Sequence, residues 1–306
     1  MTGSGEKTGT MIGVELSGDV LRGVILTADG TIADSIETPV SQSGERLTQL
    51  AEFINGLKPR APEAACVGVA VPGLVEMRSG RVALSRHLPE NESLNMAQEV
   101  SQATGLKINL ENDANAAAYA EYKFGAGRGA KDMFYVTLGK GVGGALILDG
   151  KLWHGASGFA GEFGYVTINS EGLRVEDMAS ADNIVRRTKD RLHQDSTTSL
   201  QKIAEENLKL ADIVDAANND DDFANMMLER TGMFVGTAVA SVINLLNIER
   251  VVMGGEVMAA GTPVIKGVTD RAREFSFAPG FEGTNIVAGE LGKNAAAIGA
   301  ALLSCA

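Results

Sequence analysis

The sequence is poor in several residue classes whose scarcity narrows what it can do. It has two cysteines in 306 residues, Cys66 and Cys305. They lie far apart in the chain and form no metal-ligand cluster, so two buried thiols in a reducing compartment are expected. Positive charge is also scarce: 27 Lys and Arg stand against 39 Asp and Glu, a net charge of −12. That balance argues against nucleic acid or an acidic membrane as a partner. No apolar run reaches the length of a membrane helix. Met1 to Thr10 is Gly- and Thr-rich with no apolar stretch, so no signal peptide is expected there. What is present is a 44% hydrophobic composition, enough for one large core or two modest lobes.

Strand and helix signals alternate along the first half. Met11 to Leu16 and Leu21 to Thr27 read as strands around a Ser17-Gly18-Asp19 turn, and Ala28-Asp29-Gly30 turns into a third strand from Thr31 to Pro39. Glu45 to Leu57 carries Leu47, Leu50, Ile54 and Leu57 at helical spacing. Cys66 to Val71 is a continuous small apolar run, as in a buried parallel strand. Arg81 to Leu84 reads as a further strand, Leu94 to Thr104 as a helix and Lys107 to Leu110 as a strand. The pattern then begins again: Asp132 to Leu138, a glycine-rich turn, Ala145 to Leu148, an Asp149-Gly150 turn, and Lys151 to Trp153. Both halves run strand, small-residue turn, strand, Asp-Gly, strand. This predicts a duplicated α/β unit, two lobes and a cleft between them. Beyond residue 177 the signals are mostly helical: Met178 to Leu192, then a long helix from Asp220-Asp221-Asp222 to Leu246. Val251 to Met253 and Asn285 to Ala288 read as the last strands, and Ala295 to Leu303 as a closing helix.

Two kinds of junction carry candidate chemistry. Asn112-Asp113 sits between the strand ending at Leu110 and an Ala-rich helix from Ala114 to Phe124. One reading makes Asp113 a helix N-cap. The other makes it a carboxylate at a strand-to-helix switch, placed to take a proton from a substrate hydroxyl. Gly139-Lys140-Gly141-Val142-Gly143-Gly144 and Gly254-Gly255 follow strands and expose backbone N–H groups that suit phosphate. A tight hairpin explains the first equally simply. It is not a dinucleotide fingerprint, because a strand and not a helix follows.

Taken in order, these pieces resemble the ROK family (repressors, open reading frames and sugar kinases). The most specific matches are Leu110 to Ala117, Val136 to Gly144 and Gly158-Phe159-Ala160-Gly161-Glu162-Phe163-Gly164. Asn244-Leu245-Leu246-Asn247 before Val251 to Gly255 also fits. The resemblance spans residues 11–304. It implies an α/β, two-lobed actin-like ATPase (ribonuclease H-like) fold with a duplicated βββαβα unit. The small lobe would be residues 1–111, with the C-terminal helix at about 293–306 packing back on it, and the larger lobe residues 112–292. It also implies a cytoplasmic homodimer that phosphorylates a hexose from ATP and Mg²⁺. Asp113 would be the general base. Asn112, Glu162 and Glu176 would hydrogen-bond the sugar, with His87 a further candidate; Tyr165 either offers its hydroxyl to the sugar or is a packed strand residue. Ser17, Gly18, Asp19, Gly139, Lys140, Gly141, Gly143, Gly254 and Gly255 would hold the nucleotide.

Four departures qualify that transfer. The opening turn, Asp-x-Gly-Gly-Thr in the family, is Glu15-Leu16-Ser17-Gly18-Asp19. A carboxylate ~4 Å from a phosphate charge costs roughly 4 kcal/mol at an effective dielectric of ~20. Mg²⁺ between the two charges could offset it, and Lys140, which replaces a Thr in the second turn, is expected to compensate in part. The zinc site of the family is missing: Tyr165 stands where its His would be and no Cys lies between Cys66 and Cys305. No structural zinc is therefore expected. His87 stands where an Asn precedes Leu-Pro, either as a replacement contact or as a plain loop residue. About ten residues precede the first strand, so no helix-turn-helix is expected. The competing expectation is a sugar-binding regulatory relative in which the altered first turn abolishes ATP use.

Overall fold

The computed structural model describes residues 9–41, 46–76, 79–85 and 95–305. In chain order the elements are β1 (Met11–Leu16), β2 (Val20–Leu26), β3 (Ile32–Pro39), α1 (Arg46–Leu57), β4 (Cys66–Val71), β5 (Leu74–Glu76), β6 (Arg81–Leu84), α2 (Met96–Thr104), β7 (Lys107–Asn112) and α3 (Asp113–Phe124). There follow β8 (Met133–Leu138), β9 (Val142–Leu148), β10 (Lys151–Leu152), α4 (Val175–Ala179), α5 (Ala181–Leu192), α6 (Leu210–Asn218) and α7 (Asp222–Leu246). β11 (Arg250–Gly254), α8 (Thr262–Phe275), α9 (Ala278–Glu282), β12 (Asn285–Ala288) and α10 (Ala295–Leu303) close the chain. The helix starts expected at Glu45 and Leu94 lie outside the described residues.

Two five-stranded sheets have the same construction. Their strand orders are β3-β2-β1-β4-β7 and β10-β9-β8-β11-β12. In each, an antiparallel hairpin is followed by parallel strands, with β1 beside β4 and β4 beside β7 in one, and β8 beside β11 and β11 beside β12 in the other. The repeated pattern in the sequence is thus a repeated topology. β4 is buried at every position, as a strand covered on both faces must be. β3, at a sheet edge, is half exposed and ends in a proline that a central strand would not tolerate.

The chain groups into two compact units. One holds Met1–Gly125, Leu152–Ala160 and Lys293–Ala306, and the other Ala126–Lys151 and Gly161–Gly292. Helix α3 and the segment Leu152–Ala160, assigned above to the larger lobe, therefore group with the first unit. In that unit α10 lies against β1, β4 and α3. The approach is at backbone contact: a Cβ on Gly68 would fall 1.8 Å from the Ala300 carbonyl oxygen, and one on Gly299 1.7 Å from that of Ala116. Only glycine permits this. The same return of the chain brings Cys305 to Cys66, Cα atoms 6.0 Å apart, and the two are disulfide-bonded. This corrects the expectation of two separate thiols, which rested on their distance in sequence.

The second unit has its core around α7, whose Met227, Leu228, Val235 and Val239 are buried with Val251 and Met253 of β11. Among the described residues α7 is the one helix long and apolar enough to cross a membrane by length and composition. Its most apolar stretch is 56% buried inside the protein, and Glu229 and Arg230 sit mid-helix, as in a core helix with one wet face. The single helix expected over Met178 to Leu192 is two helices. Ser180 adopts an extended conformation (φ −70°, ψ 154°), and the Ala181 N–H donates to the Gly139 carbonyl at 2.8 Å. The start of α5 is thereby bound to the glycine-rich turn.

Candidate active site

The junction of β7 and α3 shows which residue caps the helix. Asn112 is the N-cap, its side-chain oxygen accepting from the Asn115 N–H at 3.0 Å, while its Nδ2 donates to the Gly73 carbonyl at 3.0 Å. Asp113 is the first helical residue, with Oδ1 accepting from the Ala114 N–H at 2.9 Å. The capping reading of Asp113 is thus corrected by one position, because Asn112 has the extended backbone (φ −65°, ψ 144°) that an N-cap requires. Most of the Asn112 amide, expected to face sugar hydroxyls, is engaged in holding this junction to Gly73.

Sequence reading assigned no role to Glu111 or His154, yet they support the junction. Glu111 is 2% exposed. Its Oε1 accepts from the Asn112 N–H at 2.9 Å and from Asn115 Nδ2 at 3.0 Å, and its Oε2 pairs with His154 Nε2 at 2.8 Å. The hydrogen bond to Glu111 raises the His154 pKa above its ordinary value, against the opposing effect of burial. The signal that could have found Glu111 is a carboxylate at the buried end of an apolar strand, which must have partners. Nothing local in the sequence marks His154 as that partner.

The first turn is closed on itself. The Ser17 hydroxyl accepts from the Val20 N–H at 3.0 Å and donates to the Val20 carbonyl at 2.9 Å. Glu15, which opens the turn, pairs with Arg22 at 2.5 Å. Burial nevertheless raises the Glu15 pKa, outweighing the attraction of Arg22. Gly18 and the exposed Asp19 complete this turn in the first unit, whereas the exposed Lys140 belongs to the second.

The second unit collects the other candidates around the glycine-rich turn. The Gly139 N–H donates to the Gly141 carbonyl at 3.0 Å. Glu176 Oε2 accepts from the Val142 N–H at 3.2 Å. A Cβ on Gly141 would stand 3.2 Å from Glu176 Oε2, and one on Gly139 3.5 Å from Glu256 Oε1. Gly143 follows within β9. Gly255, at φ +91°, has no room for a side chain: a Cβ would meet the Leu138 carbonyl oxygen at 2.3 Å. The Gly254-Gly255 turn therefore abuts the end of β8, beside the Gly139 turn. Burial raises the Glu162 pKa, and the neighbouring Glu176 carboxylate adds to the shift. Tyr165 is 46% exposed and lies under the Arg174 guanidinium, 4.4 Å from ring centre. The intervening segment is a short hairpin with a bridge between Thr167 and Arg174, closed by the Val175 N–H on the Val166 carbonyl at 3.0 Å. Among the described residues no group of three or more His, Cys, Asp or Glu is placed to hold a metal ion. His87 lies outside the described residues.

Comparison with known proteins agrees with this construction. Residues 11–306 match the ROK family. A glucokinase of Thermotoga maritima is 31% identical over 95% of this chain and 96% of its own length. A xylose repressor of Caldicellulosiruptor bescii is 26% identical over 95% of this chain and 77% of its own. The crystal structure of a ROK family glucokinase from Streptomyces griseus, in complex with glucose and AMPPNP, superposes with a TM-score of 0.87 at 26% identity, covering 97% of this chain and 99% of that one.

Proposed function

This chain belongs to the ROK family, and from that premise we propose that it is an ATP-dependent hexose kinase with Asp113 as general base. The observation that carries the reading is the division of labour at the β7–α3 junction. Asn112 does the capping, and Asp113 takes the first helical position at the strand-to-helix switch, its Oδ1 accepting from the Ala114 N–H. Glu111 ties the junction down through the Asn112 N–H and its pair with His154. ATP, with Mg²⁺ on its phosphates, supplies the phosphoryl group when bound. The chain's own part is to place the sugar hydroxyl and accept its proton. The hydroxyl oxygen forms a bond to the γ-phosphorus as the bond to the bridging oxygen breaks, and the hydroxyl proton passes to Asp113. Glu162 and Glu176 offer acceptors to other hydroxyls, which is how a site tells one epimer from another. The side-chain-free cradle at Gly139, Gly141 and Gly254-Gly255 suits a phosphate chain.

A second reading, sugar binding without turnover, draws on the first turn. Glu15 is held by Arg22, and Asp19 adds a negative charge where the family has a hydroxyl. The repressor among the relatives is in keeping with it. The experiment that separates the two is an ADP-release screen over hexoses and N-acetylhexosamines beside direct sugar-binding titrations. Kinase activity that falls roughly 10²–10⁴-fold in Asp113→Asn, with sugar affinity within about tenfold, supports the first reading. Binding without ADP release supports the second, and near-normal turnover in Asp113→Asn removes Asp113 as the base.

A further inference from the structure

The second unit carries a basic hollow that none of the roles above uses. It occupies about 430 Å³ between α5 and α7. Four arginines line it, Arg186, Arg187 and Arg191 from α5 and Arg230 from α7, against a single carboxylate, Asp190. Four positive charges less one negative leave a local balance of +3 in a chain whose net charge is −12. The concentration is not explained by ion pairing. Asp190 is matched to Arg186 at 3.5 Å, and Arg186 also reaches Asn183 Oδ1. Among the described residues Arg191 and Arg230 make no ion pair and no side-chain hydrogen bond.

Arg187 is the most telling member. It is 7% exposed, its Nη2 donates to the Thr231 hydroxyl, and its guanidinium lies 5.4 Å from the Phe234 ring centre. Its Nε has no hydrogen-bond partner. Burial, and the like charges of Arg230, Arg186 and Arg191, push its pKa down to about 10, so it stays protonated at neutral pH. A buried cation with an unmet donor, surrounded by three more cations, is costly unless something negative arrives.

We propose that this arginine-lined hollow is a binding site for a small phosphate monoester, separate from the phosphoryl-transfer residues. The chemistry selects that class. Guanidinium forks match the geometry of phosphate oxygens, and a dianion offsets the +3 balance better than a lone carboxylate can. The volume suits a single small molecule. Phe234, which also lines the hollow, gives its organic body an apolar neighbour. The inference stands whether or not the chain transfers phosphate, since it uses none of those residues.

The test is calorimetric titration of the full chain with inorganic phosphate, with glucose 6-phosphate and with glucose. Variants Arg191→Gln and Arg230→Gln are titrated alongside. Both arginines are partly exposed, so their replacement leaves the core intact. Arg191→Lys keeps the charge and removes only the fork. Saturable binding of glucose 6-phosphate, weakened about tenfold or more by each Arg→Gln change and less by Arg191→Lys, is the expected result. Binding should also weaken as salt rises. No saturable phosphate binding would overturn the proposal. So would saturable binding that the arginine variants leave unchanged, which would place the phosphate elsewhere on the chain. Sedimentation that showed the arginine variants altering self-association, with phosphate affinity unchanged, would overturn it in favour of a contact between copies.

Discussion

The Glu111–His154 pair offers the sharpest test of how the catalytic junction is held. Glu111→Gln keeps the shape of the side chain and removes its charge. In the protein the carboxylate accepts three hydrogen bonds, from the Asn112 N–H, Asn115 Nδ2 and His154 Nε2. A hydrogen bond to a charged group contributes roughly 1.5–3 kcal/mol and a neutral one roughly 0.5–1.5 kcal/mol. Three bonds each losing about 1 kcal/mol give a cost of about 3 kcal/mol, on the order of a hundredfold in the folding equilibrium. The cost depends on pH through His154, whose pKa is raised in the folded protein. A raised histidine contributes stability that is fully present below its unfolded pKa of about 6.5 and is lost as pH rises through the folded value. The gap between wild type and Glu111→Gln should therefore be widest below that pH and narrow above it. Trp153, the sole tryptophan and the neighbour of His154 in sequence, provides a local fluorescence signal. Urea unfolding followed by Trp153 across pH 5 to 8, on wild type, Glu111→Gln, His154→Gln and the double variant, makes the measurement. The singles should be non-additive, because residues in contact couple. A pH-independent gap, or additive singles, would refute the argument that these two side chains act as one unit.

Three further outcomes are expected. Gly68→Val should lower stability by about 3 kcal/mol or more, since its Cβ would lie 1.8 Å from a backbone oxygen of α10, whereas Gly56→Ala, with nothing within 4 Å, should be neutral or stabilising; thermal unfolding compares them. Glu162→Gln should stabilise the protein at neutral pH, because burial and Glu176 raise the Glu162 pKa and its charged form is disfavoured when folded; the advantage should vanish below the unfolded carboxylate range, where the wild-type side chain is neutral in both states. Protein purified without added metal should carry zinc at well below one equivalent by elemental analysis, since the Cys cluster is absent; stoichiometric, chelation-resistant zinc would contradict this.

Features set by neighbouring residues were legible in the chain. Hairpins joined by Asp-Gly and small-residue turns, recurring in two halves, specified two like sheets, because turn conformation and alternation are properties of neighbouring residues. The sequence also marked the Asn112-Asp113 junction and the glycine-rich turns, since only certain residues fit a helix start or leave a backbone bare. Contacts between distant segments became visible in the folded chain. It gave the capping role to Asn112 and not Asp113, through a backbone angle that one residue in sequence could not distinguish. It divided the expected helix at Ser180, where the Ala181 N–H donates to the carbonyl of the distant Gly139. It brought His154 to Glu111 and Cys305 to Cys66, separated by 43 and 239 residues. It gathered Arg230 to three arginines of another helix, for no period in a single helix encodes what the next helix presents.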